Sequence, residues 1–250
     1  VIAILALAGA APVRADSDLS ISLPDRFGSI PASTFDASGQ RVGEGQMLIE
    51  QLDEGRVRVL HQSGIEGGAR TVATALLEPT PGGTGLRPVL QESRSFDPSG
   101  NALGVLSIDH RSALATCRKP DGTEVSRLTL PEDDRVANVP LELLFLPLVR
   151  GEQETISFQI LLCRDGARFM DFEARRVETD TPGDPVEVRY EPNLGLIPAA
   201  LVRAWLPRLS VWYDRAKPHR WLAARLPLYA KGPEVMVIRS DVSPGGVPLR

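Results

Sequence analysis

Proton exchange near neutral pH falls first to histidine, and this chain has three, His61, His110 and His219. None stands at metal-ligand spacing from a second His or a Cys, so no structural or catalytic metal is expected. Asp109 and His110, adjacent on a strand, would point to opposite faces, which is wrong for a carboxylate that must orient an imidazole. His61-Gln62-Ser63 reads as a strand end, where a solvated imidazole is the ordinary outcome. The chain has no Gly-x-Ser-x-Gly elbow and no Ser-x-x-Lys ahead of a helix. Neither glycine-rich stretch, Gly64 to Gly68 or Pro81 to Gly85, leads into a helix with Lys-Ser or Lys-Thr, as a phosphate loop must. Glu132-Asp133-Asp134 reads as solvated loop charge. Acids dispersed along strands could still act as a hydrolytic pair, and spacing does not find those. No catalytic residue and no cofactor is therefore assigned.

The first eleven residues carry no charge and run into Pro12-Val13-Arg14-Ala15, with Val13 and Ala15 placed as a signal peptidase requires; residues 1–15 are read as part of an export leader. In an oxidising compartment two cysteines are more often a disulfide than a metal or redox site. Cys117 and Cys163 each end a strand just before an Asp-Gly turn, and a bridge between them would close 45 residues and contribute about 3–4 kcal/mol. The competing reading is two buried thiols.

One segment departs from the rest. All three Trp and all three Tyr fall between Tyr190 and Tyr229, and residues 196–231 hold seven cations against one anion. That segment stands at +6 and the remainder at −10, so the net charge of −4 conceals an asymmetry. A basic, Trp-bearing stretch suits anionic headgroups or an anionic ligand, while the same residues also suit ordinary core packing.

These residues must be positioned by strands. The chain is 42% hydrophobic and 24% charged, which fits a globular domain, and its acidity argues against a nucleic-acid partner. From Gly45 onward apolar residues alternate with polar ones in short runs separated by turn signals, such as Met47 and Ile49 with Val57 and Val59 around Asp53-Glu54-Gly55. Similar runs recur at 71–77, 89–96, 102–110, 113–117, 124–130, 156–162, 170–174, 186–191 and 209–214. Two segments read as helices: Leu141 to Leu146, after Asn138 and Pro140 and stopping by Pro147 or Gly151, and Leu196 to Leu209. The expected fold is mainly β, a single large curved antiparallel sheet, unclosed or half-barrel, with two short covering helices. Residues 16–44 are read as an N-terminal edge strand and loop, and 45–250 as one antiparallel β domain.

Val-Pro-Leu-Glu-Leu-Leu-Phe-Leu-Pro-Leu-Val-Arg (139–150) before a strand, and Leu-Ser-Val-Trp-Tyr-Asp (209–214) late in a chain of hairpins, resemble exported bacterial β-rich proteins similar in architecture to the outer-membrane lipoprotein carrier and its receptor. The resemblance implies an unclosed barrel wrapped around helices, with an apolar cavity for acyl chains. The chain lacks the receptor's lipid-attachment Cys and differs from the carrier in its basic Trp-rich segment. The expectation is a non-catalytic periplasmic protein binding a lipid or amphiphile. Leu143, Leu146, Leu201 and Trp205 would cover the cavity, Arg203 and Arg208 would stand near a headgroup, and Trp212 would add to the ligand surface. The alternatives are docking on a membrane surface or partner through residues 196–231, and a hydrolase with dispersed carboxylates.

Overall fold

The computed structural model describes residues 19–163, 166–177, 183–193, 209–229 and 232–247. Eight strands come first: β1 (Gly28–Phe35), β2 (Arg41–Gln51), β3 (Val57–Gly64), β4 (Arg70–Pro79), β5 (Leu86–Phe96), β6 (Ala102–Asp109), β7 (Leu114–Arg118) and β8 (Glu124–Thr129). Two short helices follow, α1 (Leu141–Leu144) and α2 (Leu146–Arg150). Six more strands complete the order: β9 (Thr155–Cys163), β10 (Ala167–Val177), β11 (Val186–Pro192), β12 (Leu209–Tyr213), β13 (Trp221–Pro227) and β14 (Glu234–Arg239). They form one antiparallel sheet in the order β8-β7-β6-β5-β4-β3-β2-β1-β14-β13-β12-β11-β10-β9. Two meanders are thus joined through β1 and β14, and the sheet is unclosed, with β8 and β9 at its margins.

The alternation that marks these strands has a direct packing cause. On β2 and β3, Met47, Ile49, Val57 and Val59 point into the core, while outward Arg58 pairs with Glu50 across the ladder at 2.6 Å. Gly43 on β2 serves a different need, because a Cβ there would overlap the Gly64 carbonyl and press on the Ile65 Cα. Both are backbone atoms that cannot swing aside. Gly43→Ala is therefore expected to cost about 1–3 kcal/mol, read as a lower urea midpoint with an unchanged slope.

The chain passes from one margin to the other through residues 130–154, and this crossover fills the sheet's interior. Leu143, Leu144, Phe145, Leu146, Leu148 and Val149 are all buried there. Phe145 lies 5.6 Å from the Phe158 ring and 5.4 Å from the Tyr190 ring, centroid to centroid, joining strands β9 and β11 to the plug. Instead of the single helix expected over 141–146, two consecutive helices meet at Phe145. Pro147 starts the second rather than stopping the first, since the missing N–H falls at a helix start, and Gly151 ends it at φ 73.

Three expectations need correction. Residues 28–35, read as loop within 16–44, are β1, paired on both sides by β2 and β14. Its Ser, Pro and Gly content hid an inward row of Ile30, Ala32 and Thr34. The edge strand expected at 19–23 reduces to one bridge, Ile21 with Leu86, whose two backbone hydrogen bonds are 2.8 Å each. Residues 196–208 of the second expected helix lie outside the described residues, and Leu209 opens β12 rather than closing a helix.

Among the described residues no helix is long and apolar enough to cross a membrane.

Candidate functional site

The margins of the sheet are fastened by side chains and by the crossover backbone. Cys117 on β7 and Cys163 on β9 form a disulfide with a Cα separation of 5.6 Å. Beside it Val136 bridges Gln159 in parallel, and the Asn138 side chain copies a strand partner, accepting from Leu161 N at 2.9 Å and donating to Leu161 O at 2.9 Å. Gln91, fully buried on β5, holds the same segment from the other side. Its Oε1 accepts from Asn138 N at 2.7 Å and Val139 N at 3.0 Å, and its Nε2 donates to Val136 O at 3.1 Å.

His110 belongs to this fastening. Nδ1 donates to Asp134 at 2.8 Å, which leaves Nε2 to accept from Gln91 Nε2 at 2.8 Å. The carboxylate partner is Asp134 from the crossover, not the adjacent Asp109, whose carboxylate caps the turn at Arg111 and Ser112. Hydrogen bonds from that turn, Ser112 first, lower the Asp109 pKa.

Within the curve of the sheet lies a cavity of about 580 Å³, inside the range of small-molecule sites. Its apolar wall includes Leu106, Ile160, Phe172, Leu209 and Leu226, while Ser63, Thr71, Ser93 and Ser95 make a hydroxyl-bearing side on β3 to β5. Val139 and Leu141 of the crossover form one end. The other reaches Lys119, Gly166 and Tyr229 at the turns of three hairpins, flanked by exposed Leu103 and Val125.

Of the residues assigned to a ligand from the sequence, Leu143 and Leu146 are buried in the plug behind Leu141. Trp212 lies on the opposite face of the sheet, packed with Phe35, Leu222, Met236 and Val247, and Arg225 sits 5.8 Å from its ring centroid. Leu201, Arg203, Trp205 and Arg208 lie outside the described residues. Of the clustered aromatics, Tyr190, Tyr213 and Trp221 are buried in the main core, and Arg220 of the basic segment pairs with Asp214 at 2.9 Å.

Sequence reasoning missed one polar pair at the inner end of the cavity. His61, read as solvated, lines the cavity, and its Nε2 stands 3.3 Å from Glu142 Oε2 on α1. Glu142 is 8% exposed, the one charge within an otherwise apolar run. A lone acid among Leu141, Leu143 and Leu144 was the available signal, because a charge buried without cause is costly.

Two tyrosines adjoin this pair. The Tyr213 hydroxyl donates to the Glu142 backbone oxygen at 2.9 Å. Burial first, and the charge of Glu142 second, push the hydroxyl pKa of both Tyr190 and Tyr213 upward. An unfolded tyrosine loses its proton near pH 10, by which point these two still hold theirs. The unfolded chain then binds fewer protons, so stability is intact below pH 10 and falls above it, by up to about 1.4 kcal/mol per pH unit per tyrosine. Urea unfolding across mildly to strongly alkaline buffers should show this fall, and Tyr190→Phe should flatten it.

Among the described residues no group of three His, Cys, Asp or Glu is placed to hold a metal. No protein-family model matches the chain, and no curated protein matches it. Among solved structures it is similar to a β-barrel-like protein of a domain of unknown function, DUF1849, from Brucella abortus. The identity is 8% and the TM-score 0.47, over 88% of this chain and 97% of that one.

Proposed function

We propose that this is an exported, non-catalytic binding protein of the periplasm that holds a lipid or similar amphiphile inside the curved sheet. The observation that carries the reading is the cavity of about 580 Å³, apolar along one wall and stopped at one end by the α1–α2 plug. A soluble carrier of an apolar chain needs that arrangement, since the ligand's hydrophobic surface must leave water while its entry stays open. Export is supported by the leader-like residues 1–15 and by the disulfide, which fits an oxidising compartment.

The test is twofold. Organic extracts of natively purified protein should contain an amphiphile by mass spectrometry. Delipidated protein should bind the uncharged fluorophore N-phenyl-1-naphthylamine, and Ala73→Trp, which fills the cavity from β4, should weaken that binding at least about tenfold while the far-ultraviolet spectrum stays β. Extracts without amphiphile together with no fluorophore uptake would overturn the proposal.

A further inference from the structure

The geometry points to a selective polar subsite at the inner end of the cavity. We propose that Glu142 holds His61 with its Nε2 protonated, so that Nδ1 is a fixed hydrogen-bond acceptor, and that this selects amphiphiles carrying an uncharged donor group, an alcohol or amide, over carboxylates. The inference rests on the cavity being an amphiphile site.

Glu142 supplies the first step. Its Oε2 is sealed from solvent, and among the described residues it has no hydrogen bond and has His61 as its ion-pair partner. A carboxylate in that position needs an N–H directed at it, because an uncompensated buried charge is strongly unfavourable. His61 Nε2, equally sealed and among the described residues equally without a hydrogen bond, stands 3.3 Å away. The two atoms stand within reach of one another but are not aligned as a hydrogen bond; turning the imidazole to satisfy both puts the proton of the neutral ring on Nε2.

The second step concerns the other ring nitrogen. Among the described residues Nδ1 has no hydrogen-bond partner, it is not sealed as Nε2 is, and it belongs to a ring that lines the cavity. With Nε2 committed, Nδ1 is a lone-pair acceptor. His110 shows the opposite assignment: its Nδ1 is the donor to Asp134 and its Nε2 is consumed by Gln91, so that imidazole has nothing left for a ligand.

The third step is discrimination. A hydroxyl or amide N–H entering along the apolar wall reaches Nδ1 as a donor and leaves no polar group unmatched. A carboxylate brings lone pairs against a lone pair and a negative charge toward Glu142, and both are unfavourable where little water can screen them. Tyr213 strengthens the bias by holding the backbone of Glu142 in place, which limits how far the carboxylate can withdraw.

The experiment uses the delipidated chain and displacement of N-phenyl-1-naphthylamine by dodecanol, N-dodecylacetamide and dodecanoate in mildly alkaline buffer. The alcohol and amide are expected to displace at concentrations about tenfold lower than the carboxylate. His61→Phe, still binding the fluorophore, should bring the three within about twofold of one another. Nitrogen NMR of the unliganded protein should show the His61 proton on Nε2, and Glu142→Gln should redistribute it. Equal displacement by the three probes in the unmodified chain, or a proton on Nδ1, overturns the subsite. Failure of the fluorophore to bind overturns the cavity reading instead, so the two failures are distinct.

Discussion

Removing the disulfide is expected to destabilise the protein by about 4 kcal/mol, with Cys117→Ser, Cys163→Ser and the double variant all losing the same amount. The bridge spans a sequence separation of 46, and the loop-closure relation for such a length gives about 4 kcal/mol at room temperature. Little native strain should subtract from this, because the 5.6 Å Cα separation lies inside the ordinary range. The location adds a second consequence. β7 and β9 are joined by no backbone ladder, so the bridge is the covalent tie between the two meanders at the seam. Without it the seam rests on Asn138, on Gln91 and His110, on the Val136 bridge and on the small apolar cluster of Ile108, Ala115, Leu130, Val136 and Leu161. Amide exchange should therefore accelerate first in β8 and β9, ahead of β1 to β5. Urea unfolding of the three variants checks the energy, and a loss below about 1 kcal/mol would show that the side-chain fastening suffices alone.

Most of the strands legible in the sequence have one wetter face. Strands such as β2, β10 and β11 alternate buried side chains with wetter ones, so period two marks them, and turn residues such as Asp-Gly punctuate the series. β13 and β14 escaped for the opposite reason. Trp221 to Ala224 and Val235 to Arg239 are buried on both faces, inward against the main core and outward against the cluster that Val242 and Val247 cover. A strand covered on both sides shows no alternation, and its short apolar run is indistinguishable from other buried segments. The Cys pairing was legible because both cysteines end strands before similar turns. The polar pair at the cavity end was not, because β3 and α1 are separated by some eighty residues and only the crossover's passage through the interior brings them together.

The described part of the basic, aromatic segment does not lie on a single surface. Its rings divide between two faces of the same strands: Tyr213 points inward to Glu142, while Trp212 points outward to Phe35 and Met236. Period two on β12 thus sends neighbouring aromatics to different cores. Two of the segment's described cations are likewise engaged within the chain, Arg220 with Asp214 and Arg215 with the Asp184 carbonyl at 3.0 Å. A compositional cluster need not be a surface, since sequence proximity on a strand alternates faces.

Gln91→Met should be about as damaging as loss of the disulfide, at about 3–5 kcal/mol, although it conserves volume and places no charge. Gln91 is fully buried, and its amide answers backbone groups that no ladder reaches: two N–H groups at Asn138 and Val139 and the carbonyl of Val136. The crossover must leave the sheet margin and turn inward there, and a chain that does so forfeits its strand partners. A thioether neither donates strongly nor accepts two amides, so the substitution leaves three backbone groups and His110 Nε2 short of partners. Each buried unsatisfied group costs about 1–3 kcal/mol, and the total falls below the simple sum because part of the segment can reach water. Urea unfolding measures the loss. Amide exchange locates it, because Asn138 and Val139 should lose protection in Gln91→Met and retain it in a control such as Arg58→Ala on the outer face. If stability falls by less than about 1 kcal/mol, ordered water replaces the amide and the plug is held by apolar packing. If it falls as expected, one polar side chain on β5 sets where the crossover enters the sheet's interior, and with it the depth at which Glu142 meets His61.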